Sequence, residues 1–211
     1  MKPIILAMIL AAAVMAQEHA DPKDLAPGMF LIAARKLPDP NFSETVVLLT
    51  RHGGPGAMGL IINRKTQATL SRLMEDLGPV KAESATGKDP LYLGGPVGRS
   101  GVLALLRAKT RPAESRLLFS DVYLLTGKDQ LRNQILAATG ADTFRVYLGY
   151  SGWGPGQLER EVETGAWHIL KADAKLVFDA DPDSVWMRLI RRMELRFAGL
   201  GLRGWVREMP Q

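Results

Sequence analysis

Apolar and β-branched residues gather in short runs along this chain, each broken by glycine, proline or aspartate. Met29 to Ala34 and Thr45 to Arg51 are two such runs, and both predict strands. Lys36 to Glu44, with its prolines and Asn41, predicts the connection between them. Met58 to Asn63 predicts a third strand, entered through His52-Gly-Gly-Pro-Gly-Ala. Leu91 to Leu93 and Val102 to Arg107 predict strands on either side of Gly94-Gly-Pro-Val-Gly. Ser115 to Leu125 predicts one or two more with Asp121 at a turn, and Phe144 to Leu148 another. Ala166 to Lys171 and Lys175 to Phe178 follow as further short runs.

Helical periodicity is confined to a few places. Thr69 to Leu77 has apolar residues at 70, 73, 74 and 77, with Thr69 to cap it and Gly78 to end it. Gly127 to Thr139 sets Leu131, Ile135 and Leu136 on one face behind a Thr126 cap. Gly156 to Thr164 predicts a short helix. Asp181-Pro-Asp-Ser opens the last, with proline at its first position and Val185, Trp186, Leu189, Ile190 and Met193 as its apolar face. Pro79 to Pro90 reads as a polar loop. Many short strands with three or four helices, and no regular strand-helix alternation, predict an α+β fold with a mixed, mostly antiparallel sheet.

The densest punctuation lies between Tyr147 and Trp167, where Gly149, Gly152, Gly154 and Gly156 surround Tyr150, Trp153 and Pro155. A strand, a glycine loop and a helix start read as a tight packing corner, or as an anion site. Specific chemistries fare poorly there. A nucleophile elbow needs Gly-x-Ser-x-Gly, and Gly149-Tyr150-Ser151-Gly152 puts the glycine directly after the serine. A P-loop needs lysine and a hydroxyl after its glycines, and Gln157-Leu158 supplies neither. No histidine pair has metal-ligand spacing, and Glu159 and Glu163, four residues apart on one helix face, read as solvated glutamates, with Glu159 near the helix start complementing its dipole. Zero cysteines exclude thiol catalysis and disulfides. These absences predict no catalytic residue, metal or cofactor. Trp153, Trp167 and Trp186 are not interleaved with basic residues as single-strand binding requires, so nucleic acid is not expected as a partner.

Composition adds little about fold and more about the ends. A 46% hydrophobic, 23% charged chain of 211 residues is long enough to bury a sizeable core. The net charge of +5 is weighted late, in Arg188, Arg191, Arg192, Arg196, Arg203 and Arg207. Residues 195–211 therefore read as a basic, glycine-containing tail, with Trp205 set among arginines. Lys2, the apolar run from Ile4 to Met15 and Val14-Met15-Ala16 predict a secretory signal over residues 1–16, cleaved after Ala16. Such a chain is periplasmic or secreted, without a transmembrane span after cleavage. The alternative is a cytoplasmic protein starting at Met15. Residues 17–27 read as a polar leader to a domain over 28–194.

Gly149-Tyr-Ser-Gly-Trp-Gly-Pro-Gly-Gln-Leu-Glu159, followed by Glu161 and a tryptophan, resembles the signature of the bacterial YqgE/AlgH family. Phe30-Leu-Ile-Ala with Asp39-Pro-Asn-Phe-Ser-Glu-Thr-Val-Val-Leu-Leu, His52 with Gly56-Ala-Met-Gly-Leu-Ile-Ile-Asn63, and Leu93-Gly-Gly-Pro-Val97 are similar to its other blocks, in the same order. The resemblance implies a curved, partly barrel-like sheet. It implies no reaction. Asp39, His52, Asn63, Gly94 and Gly95 are the polar or glycine positions shared with those blocks, and with Tyr150, Trp153, Gln157 and Glu159 they form a candidate cleft. Taken singly, Asp39 reads as a turn cap, Asn63 as a strand end and His52 as a hydrogen-bonded corner. The expected function is a non-enzymatic binding or regulatory module for an unknown protein or small ligand. The alternatives are a hydrolase or transferase using the Gly149–Glu159 loop, and a transcription-linked regulator if the protein is cytoplasmic.

Overall fold

The computed structural model of the chain describes residues 21–77, 89–137 and 139–195. The expected signal, most of the leader, the loop after Leu77 and all of the basic tail except Leu195 lie outside the described residues. Ten strands form one sheet, eight of them in the order β10-β1-β2-β3-β9-β6-β8-β7, with β5 paired to β9 and β4 to β5 off that path. They are β1 (Met29–Ala33), β2 (Val46–Arg51), β3 (Ala57–Ile61), β4 (Lys65–Thr69), β5 (Pro90–Leu93), β6 (Val97–Arg107), β7 (Arg116–Phe119), β8 (Val122–Leu125), β9 (Phe144–Trp153) and β10 (Trp167–Lys171). Four helices, α1 (Leu70–Leu77), α2 (Lys128–Leu136), α3 (Gln157–Glu163) and α4 (Ala174–Val177), precede α5 over residues 185–195. The class is α+β as expected, and the described helices number five where three or four were predicted.

The sheet is antiparallel except where β5 runs parallel to β9. β9 is the strand on which the rest turns. Its first half pairs with β5 at Tyr147 and Leu148, and its second half pairs with β3 at Ser151 to Trp153. β6 lines its other side, with a break in register. Val97 faces Tyr150 and Val102 faces Leu148, so Gly98 to Gly101 stand opposite Gly149 alone as an excursion. The sheet curls into a half-barrel. At its ends, a Cβ added to Gly28, just before β1, would lie 2.9 Å from the Leu118 carbonyl oxygen on β7.

Two of the four glycines of the expected loop, Gly149 and Gly152, are strand residues. Gly149, Tyr150, Ser151, Gly152 and Trp153 all belong to β9, which runs five residues beyond the predicted end at Leu148. Gly149 has φ of +67°, and a Cβ there would sit 2.6 Å from the Val97 carbonyl oxygen. A Cβ on Gly95 would lie 2.3 Å from the Tyr150 carbonyl carbon. Three backbones meet too closely there for side chains, which is the packing-corner reading of this stretch. Two further expectations are corrected. Lys175 to Phe178 is mostly the helix α4, because Asp173 accepts from the Lys175 amide and caps it. The polar run Lys65–Thr69 is a strand that periodicity missed, held to β5 partly by the Thr66 hydroxyl donating to Leu91 O.

The curled sheet encloses one core and α1 and α2 cover a second. The first includes Phe30, Leu48, Ile61, Tyr147, Trp167 and Trp186, and the second Leu70, Leu106, Leu131, Ile135 and Phe144. Residues 21–27, read as a leader, carry an Asp21-capped 3₁₀ turn and a buried Leu25. α5 is pinned by Trp186, whose indole donates to the Ala33 carbonyl at 2.8 Å. Arg145 is 4% exposed on β9. Its guanidinium donates to the carbonyls of Ala141, Val177 and Asp179 and lies 4.7 Å over the Tyr92 ring, so it fastens the α4 segment to the sheet.

Candidate functional site

β9 ends at Trp153, and Gly154-Pro155-Gly156 turns the chain into α3. Gly156 takes φ of +69° as the residue before the helix and fills the cap position, which leaves Pro155 in the turn ahead of it. Gln157 closes the turn by accepting from the Gly154 amide at 3.1 Å. One turn on, Glu161 collects donors. Its Oε2 accepts from the Trp153 indole at 2.9 Å and the Trp167 indole at 2.8 Å, and its Oε1 accepts from Gln157 at 2.9 Å. Phe42 stacks on Trp153 at 5.7 Å and meets Trp167 edge-on at 5.5 Å. Three aromatic rings are thus locked around one carboxylate.

Glu161 lay outside the residues singled out from sequence. Its signal was the four-residue spacing from Gln157, which puts the two on one helix face. Glu159 points elsewhere. It meets His52 across 2.8 Å, with the two side chains 36% and 19% exposed. The Glu159 carboxyl is held below the usual carboxylate range by its own backbone N–H in the first turn of α3, and next by His52, against the opposing effect of burial. His52 reaches α3 because the turn after β2 folds against Trp153. Gly56 has φ of +104°, and a Cβ there would lie 2.2 Å from the Trp153 carbonyl oxygen. Gly53 and Gly54, by contrast, face open space.

The other candidate residues divide between support and separation. Asp39 Oδ1 accepts from the Asn41 amide at 2.8 Å and shapes the turn that delivers Phe42 to the tryptophans. Asn63 accepts from the Val46 amide at 2.8 Å and donates to Glu44 O at 2.9 Å, standing in for a strand rung. Gly94 and Gly95 lie at the backbone crossing with β9, where Gly94 O accepts from the Ser151 hydroxyl at 3.1 Å. Ser151 is fully buried. Strand alternation sets Tyr150 on the sheet face opposite Trp153. His52, Glu159, Trp153 and Gln157 therefore share the β9–α3 corner, Asp39 and Asn63 brace it, and Tyr150 lies across the sheet.

A histidine bonded to a carboxylate can hold or pass a proton. Among the described residues the bond from His52 goes to Glu159 and to no hydroxyl, and no three His, Asp or Glu side chains converge as a metal site. No described helix is long and apolar enough to cross a membrane.

Comparison with known proteins gives a consistent result. A family model described as AlgH-like matches residues 30–198. A UPF0301 protein of Methylococcus capsulatus is 38% identical over 178 residues, 84% of this chain and 94% of the relative. One from Anaeromyxobacter dehalogenans is 36% identical over 183 residues, 84% of this chain and 92% of its own. The solution structure of the AlgH protein of Pseudomonas aeruginosa matches with a TM-score of 0.63 at 32% identity, covering 88% of this chain and 94% of that one. A Corynebacterium diphtheriae crystal structure, at 22% identity and TM-score 0.66, covers 80% of this chain and 87% of its own and shares the fold.

Proposed function

The chain belongs to the AlgH-like family, and from that premise we propose that it is an exported, non-enzymatic binding module whose contact region is the β9–α3 corner. The observation that carries this reading is the commitment of the corner's polar groups to one another. Glu161 takes two indoles and Gln157, Glu159 takes His52, and the Ser151 hydroxyl is buried on a carbonyl. Such an arrangement fixes a surface. It does not present a nucleophile beside a base. Gly53 and Gly54, open beside His52, leave that surface free to be approached.

Two measurements test the module. Benzoylphenylalanine at position 54 gives discrete photo-cross-linked adducts in cells, while the same residue at exposed position 128 on α2 does not; no adduct at 54 counts against the reading. Purified protein turns over none of a panel of chromogenic esters, phosphates and glycosides. Turnover abolished by Glu159→Gln with unchanged melting would establish the hydrolase alternative instead. Export rests on Lys2, the apolar run to Met15 and the small residues Val14 and Ala16. Fractionation with N-terminal sequencing finds a mature start at Gln17 in the envelope; a cytoplasmic start at Met1 or Met15 overturns it and restores the transcription-linked reading.

A further inference from the structure

The outer face of the sheet beside this corner carries a feature that the site description leaves unused. Register aligns Arg51 of β2 with Met58 of β3, and Met58 with Gly152 of β9, so these three stand in one row on one face. Two residues along β9, Tyr150 pairs with Val97 of β6 on the same face. Gly152 is exposed and without a side chain, Met58 is half-buried, and Val97 is 40% exposed, one of four large hydrophobic residues so exposed among those described. A Cβ on Gly152 would lie 3.8 Å from Val97 Cγ2 and 3.2 Å from Tyr150 Cε2, so these groups wall a shallow apolar floor.

Charge frames that floor. Arg51 lies at one end of the row. Arg99 stands off the row, on the Gly98–Gly101 excursion of β6, its Cα 3.3 Å from where a Cβ on Gly149 would lie, and Gly98 beside it abuts the Tyr150 ring. Both arginines are exposed, and neither guanidinium has a hydrogen bond or ion pair among the described residues. The guanidiniums of Arg35, Arg107 and Arg188 are paired with Glu194, Asp121 and Asp179. From β2 to β6 the face spans three inter-strand spacings, about 14 Å, and the offset of Arg99 along β9 lengthens the diagonal to about 17 Å, which an extended chain crosses in about five residues.

Resting on the binding-module reading, we propose that this strip docks an extended protein segment with two acidic residues flanking an apolar one, in the pattern acidic-x-apolar-x-acidic. The apolar side chain lies over Gly152 between Met58, Val97 and Tyr150. The acidic side chains pair with Arg51 and Arg99. The missing side chain at 152 makes room for the Tyr150 ring, which with Met58 and Val97 forms the apolar surface, and charge complementarity selects an acidic segment over a basic one.

The test is fluorescence anisotropy of the purified full chain with labelled nonapeptides centred on Glu-Ser-Leu-Ser-Glu, against the same peptides with lysine for glutamate. The acidic peptides bind, binding weakens with salt, and Arg51→Glu with Arg99→Glu weakens it by about tenfold or more. Lys128→Glu with Arg132→Glu, an equal charge change on α2, leaves it unaltered. Equal affinity for the lysine peptides, or no loss in the Arg51/Arg99 variant, overturns the proposal. A concentration-dependent dimer of the free protein that the Arg99→Glu change dissolves also overturns it, in favour of a second copy as occupant. Because the titration uses purified protein, its failure leaves the cellular cross-link at position 54 standing or falling on its own.

Discussion

Trp153 and Trp167 are 5% and 1% exposed, and both indole N–H groups end on one oxygen of Glu161. Removing that acceptor strands two buried donors, each costing about 1–3 kcal/mol. Glu161→Ala is therefore expected to destabilise the fold by about 3 kcal/mol in urea denaturation, with changed near-ultraviolet dichroism from the loosened Phe42–Trp153–Trp167 cluster. A wild-type midpoint would show that the cluster holds without its carboxylate. Glu159 differs in kind. Its pair with His52 is partly exposed and bears on the corner's surface more than on its cohesion.

Among elements, β9 carries the strongest backbone constraint, and its glycines are not equivalent. Gly149 needs a positive φ and has carbonyl oxygens of Val97 and Gly95 within 2.6 and 2.9 Å of where a Cβ would stand. A Cβ at Gly154 would meet Gln157 Oε1 at 3.9 Å, an ordinary contact. Gly149→Ala is expected to cost about 3 kcal/mol or more, combining the left-handed backbone penalty with displacement of β6. Gly154→Ala stays within about 0.5 kcal/mol of wild type. Thermal melts of the two variants decide the matter, and equal losses would contradict this division of roles. The glycine pattern of the sequence marked the stretch, while the partner backbones show which glycines are obligatory.

For the whole molecule, ionisation ties stability to pH. Burial holds the His168 imidazole below its ordinary value, with Glu194 acting the other way. The unfolded chain then binds the proton more readily, so this contribution is full above about pH 6.5 and is lost as pH falls through that value. Glu194 beside Arg35 is held low, as is Glu159. Asp179 is also low: burial pushes it up, but the Arg188 guanidinium, the Asp181 amide and Arg145 together outweigh it. Their contribution is present above the ordinary carboxylate range and lost below about pH 4. Asp89, raised by burial, works in the opposite sense. The melting temperature should therefore fall in two stages on acidification, and His168→Asn should remove the upper one. A profile with the upper stage intact in that variant would refute its assignment to His168.

The α+β class, most strand runs, the helices at α1, α2, α3 and α5, and the buried Trp153, Trp167 and Trp186 were legible in the chain, because alternation, helical spacing and turn residues act within a few positions. What lay beyond that reach came from contacts distant in sequence. The extension of β9 through its glycines depends on β3 taking over from β5 as its partner. The strand β4 depends on β5, and the burial of Arg145 depends on carbonyls 32 and 34 residues away. His52 meets Glu159 across 107 residues, and Asn63 braces the corner through the Val46 amide 17 residues away, whereas the Asp39 turn, closed on Asn41, was legible locally. Local preference can specify which segments extend or coil; which donor meets which acceptor is decided only when the curled sheet brings those segments together.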